Sequence, residues 1–362
     1  MKVLHVITGL GVGGAELQLR SMLRHTRHPS DVVTLYNAGP VAEMIRTDGT
    51  PVRDLGMTSN TQLSMVLRLR AILREGRYDV VHNHLYRACI YGRTAAWLAR
   101  TPVVVSTEHS IGETHLERRR MTRGVQGLYL ATERLGDTTI AVSDAVRERL
   151  VNWGVRAGRI TVIPNGLDFR RVAFDADARD KVRAGFGIDP GTYVIGVLGR
   201  LEANKRFDLV IEAASKVLGD KAVVLVIGKG TERERLEAVA RACGVADRVI
   251  FTGERHDVAA MLSTLDLFVA SSKQETFGLS VLEALANGIR VLYTTCPALD
   301  GIDTARARQV PGTVDGLREA IATEILAGPR DRVPVPAIER RYGIEAITDR
   351  IDSLYENLGG KR

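Results

Sequence analysis

The sequence is poor in aromatic residues and contains no long hydrophobic run. Phe, Trp and Tyr account for 5% of the 362 residues, which argues against the aromatic platforms that stack on single-stranded nucleic acid. No apolar stretch approaches the roughly 20 residues of a transmembrane helix. The opening residues MKVLHVIT have neither the length nor the cleavage site of a secretory signal peptide. We therefore expect a protein that binds no nucleic acid and does not span a membrane.

Cysteine is scarce as well. The three cysteines, Cys89, Cys243 and Cys296, are odd in number and far apart. This pattern is typical neither of a disulfide framework nor of a metal site. A reducing cytoplasm is the expected location.

Positive charge is concentrated in the first half of the chain. Residues 1–168 contain 22 Lys and Arg against 15 Asp and Glu, whereas the remainder contains 28 of each. A cluster at Arg118, Arg119, Arg120 and Arg123 is part of this excess. Such a face suits an anionic acceptor or peripheral contact with the anionic inner face of a membrane. A solvated basic surface is the alternative.

Apolar runs alternate with amphipathic segments in two series. The first series is 3–8, 31–36, 79–82, 103–106, 138–142 and 160–163, and the second is 193–198, 223–227, 249–251, 265–270 and 291–293. Strands that alternate with helices indicate parallel sheets with right-handed crossovers. The fold class is therefore α/β, with two doubly wound, Rossmann-like domains. We expect the boundary within 165–190 and the ligand site in the cleft between the domains.

Two further segments complete this division. The stretch 170–191 is rich in Asp and Arg and is interpreted as a polar linker, with Asp175 and Asp177 as solvated surface rather than a metal-binding Asp-x-Asp pair. Residues 342–358 carry a broad stripe of Ile, Leu and Tyr that predicts an amphipathic helix.

The stretch 271–288 is the most informative in the sequence. A buried strand is followed by a polar loop with Glu275, and then by a short helix in which Glu283 stands among apolar residues. The amides of Phe277, Gly278 and Leu279 would bind a phosphate at the helix N-terminus. The two carboxylates would accept hydrogen bonds from hydroxyls on either side of that phosphate. A nucleotide sugar has this arrangement, and two merely structural acids are the alternative.

The second domain also offers two cations at the same predicted sheet edge. Arg200 and Lys205 lie in the loop after its first strand, where they can neutralise a diphosphate.

A glycine-rich loop follows the first strand of the chain. Residues 9–14 read GLGVGG and satisfy the G-x-G-x-x-G dinucleotide fingerprint. The fingerprint also requires an acid at the end of the next strand, and Asn37 stands there. NAD binding is therefore a minor alternative, although the glycines permit close approach of any phosphate or sugar.

Histidines end two strands of the first domain. His82 and His84 end one strand and His109 follows another, which makes them candidate donors to a substrate. Zinc binding by His82 and His84 would need a third ligand that the spacing does not supply.

These motifs together resemble the retaining family 4 glycosyltransferases of the GT-B fold. The resemblance runs from residue 1 to about 295 and rests on three segments: Gly13-Gly14-Ala15-Glu16, Gly199-Arg200 with Lys205, and Glu275-x-Phe277-Gly278 with Glu283. It departs from the family at 293–300, where a Gly-containing loop is usual. The family implies residues 1–168 as the acceptor-binding domain, with a C-terminal helix at 342–362 that crosses back onto it. Residues 169–341 would then bind the donor.

The resemblance also implies roles for individual residues. Arg200 and Lys205 would hold the donor diphosphate, Glu283 the ribose hydroxyls and Glu275 the transferred sugar. Phe277, Gly278 and Leu279 would complete the donor site. Gly13 and Gly14 would approach the donor phosphate, and His109 would lie near the reacting sugar. His82, His84 and Glu16 are acceptor-side candidates, and no metal or other cofactor is expected.

The favoured function is a retaining hexosyl- or N-acetylhexosaminyltransferase. A UDP-sugar is the expected donor, and a glycan, a lipid-linked glycan or a small secondary metabolite is the expected acceptor, as in bacterial polysaccharide biosynthesis. A sugar-nucleotide epimerase on the same fold and a catalytically inactive nucleotide-binding protein remain open alternatives.

Overall fold

The chain folds into two compact units. The structure is a computed structural model that describes residues 1–59, 61–109, 111, 115–116, 119–120 and 122–360. The first unit comprises Met1–Leu167 and Tyr342–Arg362, and the second comprises Asp168–Arg341. Arg118 of the basic cluster lies outside the described residues.

The first unit is built on a seven-stranded parallel sheet of order β3-β2-β1-β4-β5-β8-β9, beside a two-stranded β6-β7 pair. Its strands are β1 Val3–Ile7, β2 Ser30–Thr34, β3 Val52–Asp54, β4 Val80–His84, β5 Val103–Glu108, β6 His115–Leu116, β7 Arg119–Arg120, β8 Thr138–Ala141 and β9 Ile160–Val162. Its helices before the boundary are α1 Gly14–Leu23, α2 Gly39–Thr47, α3 Ser64–Gly76, α4 Tyr86–Ala99, α5 Arg123–Glu133 and α6 Asp144–Trp153.

Both faces of this sheet are covered. Val3 and Ile7 of β1 pack into one apolar cluster, whereas Leu4 and Val6 pack into another. Successive side chains of a strand point to opposite faces, so a strand that is buried on both sides reads as a continuous apolar run. This explains why the apolar runs in the sequence located six of the seven strands of this sheet, whereas the edge strand β3 was not predicted.

The second unit contains a six-stranded parallel sheet of order β12-β11-β10-β13-β14-β15. Its strands are β10 Tyr193–Leu198, β11 Ala222–Ile227, β12 Val249–Gly253, β13 Leu267–Ala270, β14 Arg290–Tyr293 and β15 Ala307–Gln309. Its helices are α7 Ala176–Gly185, α8 Phe207–Ser215, α9 Arg233–Ala242, α10 Val258–Thr264, α11 Leu279–Ala286 and α12 Val314–Ala327, with α13 Pro336–Tyr342 at the boundary. The described architecture confirms the predicted fold class of two doubly wound, Rossmann-like sheets.

The predicted polar linker is wrong in one respect, because it contains helix α7. The Asp175 side chain caps this helix by accepting a hydrogen bond from the Ala178 amide. Arg179 and Arg183 of α7 both pair with the buried Asp266, at 2.7 and 2.8 Å. The charged residues of this stretch therefore anchor a helix of the second unit rather than a flexible connection.

The chain returns to the first unit in its last helix, α14, at Ile344–Gly359. Ile347, Ile351 and Tyr355 of α14 pack into the same cluster as β1. The Asp352 carboxylate accepts hydrogen bonds from the Thr26 hydroxyl at 2.8 Å and the Arg27 amide at 3.0 Å. Across the described residues, the helices include none with the length and apolar character needed to cross a membrane.

Candidate functional site

The switch point of the second sheet lies between β10 and β13. Strand order reverses there, and ligands of open α/β sheets bind outside the carboxyl ends of the strands at such a point. The loop after β10 carries Arg200 and Lys205, and the loop after β13 carries Glu275. Gly228, in the turn after β11, has a φ of +136°, and a Cβ at this position would collide with the Gly199 carbonyl oxygen. The turns after β10 and β11 therefore pack backbone against backbone.

Lys205 and Glu275 are in direct contact at this edge. Lys205 Nζ lies 2.5 Å from Glu275 Oε1, and the Ser272 hydroxyl donates to the same oxygen at 2.7 Å. The Lys205 and Glu275 side chains are 23% and 17% exposed. The pair is thus partly desolvated yet open to a ligand.

Helix α11 begins directly after this loop. Gly278 precedes it with a φ of +104°, a conformation that favours glycine. A Cβ at Gly278 would lie 2.5 Å from Cys296 Sγ, so the start of the helix packs tightly against the loop after β14. The Phe277 side chain is buried, while the first amides of α11 present the positive end of the helix dipole.

Glu283 lies on α11 with buried apolar neighbours on both sides in sequence. In the part of the chain that the structure describes, no group forms a hydrogen bond or ion pair with its carboxylate, and burial alone shifts its pKa. Burial raises the pKa of Glu283 to about 7. A partly buried carboxylate without a partner is costly, and a ligand hydroxyl would supply the missing hydrogen bond.

Arg200 is placed differently from Lys205. Its side chain is 46% exposed and lies 3.1 Å from Glu202. It is therefore able to move toward an anion in the same loop, with only a surface ion pair to give up.

The corresponding switch point of the first sheet lies between β1 and β4. The glycine-rich loop follows β1, and Gly13 is the N-cap residue of α1 in an extended conformation. A Cβ at Gly13 would lie 2.5 Å from Glu16 Oε2. Gly14 opens the helix and Glu16 occupies its first turn, so these three residues form one compact helix start.

His84 ends β4 beside this loop, and its ring nitrogens face two neighbouring imidazoles. Its Nε2 lies 3.1 Å from His5 Nδ1, and its Nδ1 lies 3.4 Å from His109 Nε2. His109 also forms a hydrogen bond with Asn165, which opposes the effect of burial; burial prevails and lowers the pKa of His109 to about 4.

Comparison with known proteins places this geometry in a family. Residues 12–171 match the model of Glycosyltransferase Family 4, and residues 178–304 match that of Glycosyl transferases group 1. A D-inositol 3-phosphate glycosyltransferase of Geodermatophilus obscurus is 30% identical over 355 residues, covering 90% of this chain and 75% of that protein. The chain is a family 4 glycosyltransferase.

One further relative agrees with this assignment, and one solved structure shares the fold. A D-inositol 3-phosphate glycosyltransferase of Xylanimonas cellulosilytica is 29% identical, covering 99% of this chain and 91% of that protein. The crystal structure of Anabaena Alr3699/HepE in complex with UDP and glucose has a TM-score of 0.87 at 22% identity, covering 99% of this chain and all of that one. The latter likeness shows the GT-B fold.

The structure of this glycosyltransferase corrects the expected position of two histidines. His82 and His84 are 0% and 2% exposed, so they lie inside the first unit rather than at an open edge. His82 Nδ1 lies 2.6 Å from the Tyr355 hydroxyl, and its Nε2 lies 2.6 Å from the Thr107 hydroxyl. Both residues occupy interior positions because β4 extends to His84, two residues beyond the predicted strand end.

The structure also supplies the third imidazole that the sequence spacing lacked. His5, His82 and His84 have ring nitrogens within 4.8 Å of one another. However, both nitrogens of His82 are engaged by the Tyr355 and Thr107 hydroxyls. The trio would have to break one of these hydrogen bonds to bind a metal ion.

Sequence reasoning missed three residues that support the site. His5 belongs to an apolar strand, and only the register His5 to His82 between β1 and β4 brings it to the other histidines. Ser272 lies in the loop after the predicted strand 265–270, and Asn165 lies at the start of the predicted domain boundary. Ser272 stands three residues before its partner Glu275, and this spacing is a local signal for the hydrogen bond, whereas no local signal links Asn165 to His109.

Proposed function

We propose that this glycosyltransferase moves a hexosyl or N-acetylhexosaminyl group from a UDP-sugar to a hydroxyl of a glycan or lipid-linked acceptor, with retention of anomeric configuration. The observation that carries the proposal is the carboxylate of Glu283 on α11, to which none of the described residues supplies a partner. Together with the Lys205–Glu275 pair, it supplies both acceptors for donor hydroxyls and a cation for the diphosphate on one sheet edge of the second unit.

The donor would be bound by complementary charges and hydrogen bonds. Glu283 would accept hydrogen bonds from the ribose hydroxyls, and the α11 amides from Leu279 onward would face the diphosphate. Arg200 and Lys205 would neutralise the phosphate charges, the role that a metal ion has in other nucleotide-sugar enzymes. Glu275 would exchange its contact with Lys205 for hydroxyls of the transferred sugar.

Departure of the nucleoside diphosphate is the step that these groups would assist. Negative charge develops on the leaving phosphate as the glycosidic bond breaks, and preorganised cations and amides stabilise it. We infer front-face transfer, in which the leaving phosphate accepts the proton of the acceptor hydroxyl. His109 is assigned to the reacting sugar through the family resemblance.

The decisive experiment is calorimetric titration of the protein with UDP, GDP, ADP and NAD, repeated with Glu283→Ala. Binding of one nucleoside diphosphate that the substitution abolishes would support the donor site and identify the base. Equal binding by both proteins would place the ribose elsewhere, and binding of NAD would reassign residues 9–14 to a dinucleotide.

Stereochemistry and the nature of the acceptor need separate measurements. NMR of the product, recorded during the reaction with a matched sugar donor, should show the same anomeric configuration as the donor. The inverted anomer in the product would refute the retaining mechanism. Sedimentation with anionic vesicles at low salt tests the expected contact with an anionic surface. If the protein does not co-sediment with the vesicles, the membrane contact is refuted.

A further inference from the structure

Three imidazole rings of the first unit form one continuous line. His5 Nδ1 lies 3.1 Å from His84 Nε2, and His84 Nδ1 lies 3.4 Å from His109 Nε2. The ring plane of His84 is inclined by only 29° and 27° to those of its two neighbours, with centroid distances of 5.4 and 5.7 Å, so the rings meet edge to edge. His84 therefore uses one ring nitrogen toward each neighbour. We call these three residues the histidine chain.

All three rings are neutral near pH 7. Burial lowers the pKa of His5 to about 3 and that of His109 to about 4. It also lowers the pKa of His84 well below the usual value, with the neighbouring histidines acting in the same direction. A neutral imidazole carries one N–H and one lone pair.

Because each neutral ring has one N–H and one lone pair, the tautomer of each residue in the histidine chain depends on the tautomers of the other two. In one arrangement His5 Nδ1–H donates to His84 Nε2, and His84 Nδ1–H donates to His109 Nε2. In the other, His109 Nε2–H donates to His84 Nδ1, and His84 Nε2–H donates to His5 Nδ1. Any mixed arrangement opposes two N–H groups or two lone pairs inside the protein, which is costly.

We propose that His84 and His5 are positioning residues that couple the tautomer of His109 to their own tautomers and hold its ring orientation. The tautomer decides whether His109 presents a donor or an acceptor to a ligand. The catalytic role of this coupling rests on the proposed function, which assigns His109 to the reacting sugar. The coupling of the tautomers does not depend on the proposed function.

His82 provides a matched control within the same cluster. It lies on the same strand and the same face as His84, is equally buried, and stacks on His84 at a centroid distance of 4.1 Å. Its nitrogens face Tyr355 and Thr107 instead of the histidine chain. A substitution there disturbs the packing without interrupting the chain.

The direct test is long-range ¹H–¹⁵N NMR of the full-length protein labelled at histidine, of which the chain has eight. His5, His84 and His109 should all show the same tautomer, or the same proportions of the two tautomers. His84→Gln should change the tautomer proportions of His109, while His82→Gln should leave them as in the wild type. Different tautomers among the three histidines in the wild type, or unchanged His109 proportions in His84→Gln, would overturn the proposal.

Kinetics then separates the positioning role from the proposed function. His84→Gln should lower kcat for sugar transfer about tenfold or more, by analogy with the loss of a correct tautomer. The donor KM should change by less than about twofold, because ground-state binding is retained. His84→Asn keeps a polar group facing His109 and should recover part of kcat.

Two outcomes distinguish the possible failures. If His109→Ala transfers sugar at the wild-type rate, the assigned role of His109 fails although the tautomer coupling stands. If the purified protein contains one equivalent of zinc that His5→Ala removes, the cluster is a metal site and the histidine chain is refuted. The zinc measurement uses elemental analysis and does not depend on activity.

Discussion

Lys205 Nζ lies 2.5 Å from Glu275 Oε1, so the cation assigned to the donor diphosphate is paired with the carboxylate assigned to the donor sugar. The two groups satisfy each other's charge in this contact. When a nucleotide sugar binds, Lys205 would contact phosphate oxygens and Glu275 would contact sugar hydroxyls, in place of the contact between the two residues.

Glu275→Gln is expected to separate nucleotide binding from sugar transfer. The substitution removes a negative charge beside the diphosphate position, so affinity for the free nucleoside diphosphate should stay equal or rise. Turnover should fall at least about tenfold, because a charged acceptor for the sugar hydroxyls is lost. Calorimetry and an initial-rate assay measure the two effects.

Lys205→Ala and an exposed control complete this test. Lys205→Ala should lower both nucleotide affinity and turnover, the latter by about tenfold or more. Glu237→Gln removes the exposed pair of Arg233 and Glu237 at 2.7 Å and should change neither. Near-normal turnover in Lys205→Ala would argue against the diphosphate assignment.

Glu283→Gln is expected to stabilise the protein above neutral pH. The pKa of Glu283 rises from 4.5 to about 7 in the folded protein, so the folded state holds its proton more tightly than the unfolded chain. Stability is therefore lost as the pH rises from about 4.5 to 7. The variant should exceed the wild type by about 2–3 kcal/mol at pH 8 and by much less at pH 5.

Thermal denaturation at pH 5 and pH 8 measures this difference. Glu234→Gln, at an exposed position of α9, serves as the control and should show no such pH dependence. A stability difference that is the same at both pH values would mean that Glu283 does not titrate in this range.

Gly278→Ala is expected to destabilise the second unit for two separable reasons. The φ of +104° strains any side chain, at a cost of about 1–2 kcal/mol, and the new Cβ would lie 2.5 Å from Cys296 Sγ. In the double variant with Cys296→Ala, the collision is relieved but the backbone strain remains. The double variant should thus be more stable than the sum of the single effects, as a urea-denaturation cycle would show. Strict additivity would contradict the predicted collision.

Tyr355→Phe is expected to reduce stability through His82. The substitution removes the hydroxyl that lies 2.6 Å from His82 Nδ1 and leaves a buried nitrogen without that partner. The expected cost is about 1–3 kcal/mol in the free energy of unfolding. The double variant with His82→Phe should lose less than the two single variants together, because both atoms of the hydrogen bond between Tyr355 and His82 are then absent, and the cost of the uncovered Thr107 hydroxyl is already part of the His82→Phe effect. A larger combined loss would show that packing, not the hydrogen bond, determines the effect.

The sequence predicted all strands of the two sheets except the edge strands β3 and β15, because buried parallel strands read as apolar runs. The short helix with Glu283 that the stretch 271–288 predicts is α11. The family motif points to Lys205, Glu275 and Glu283, and the structure brings the first two of these residues into contact.

Features that depend on long-range contacts were not predicted. Helix α7 was interpreted as linker because its Arg179 and Arg183 appear polar, whereas Asp266, more than eighty residues later, neutralises both. His82 and His84 appeared exposed because nothing in their neighbourhood predicts that Tyr355 and His5 cover them. Strand register and the return of α14 are set by tertiary packing, which the local pattern does not encode.

The return of α14 fixes the order in which the chain acquires structure during synthesis. The first unit requires Tyr355 to cover His82, yet residues 168–341 of the second unit lie between these two positions. Translation proceeds from the N-terminus, and domains fold as units while it does. The whole second unit is therefore synthesised before α14 can pack onto the first unit. Until then, Tyr355 does not cover His82 in the nascent first unit.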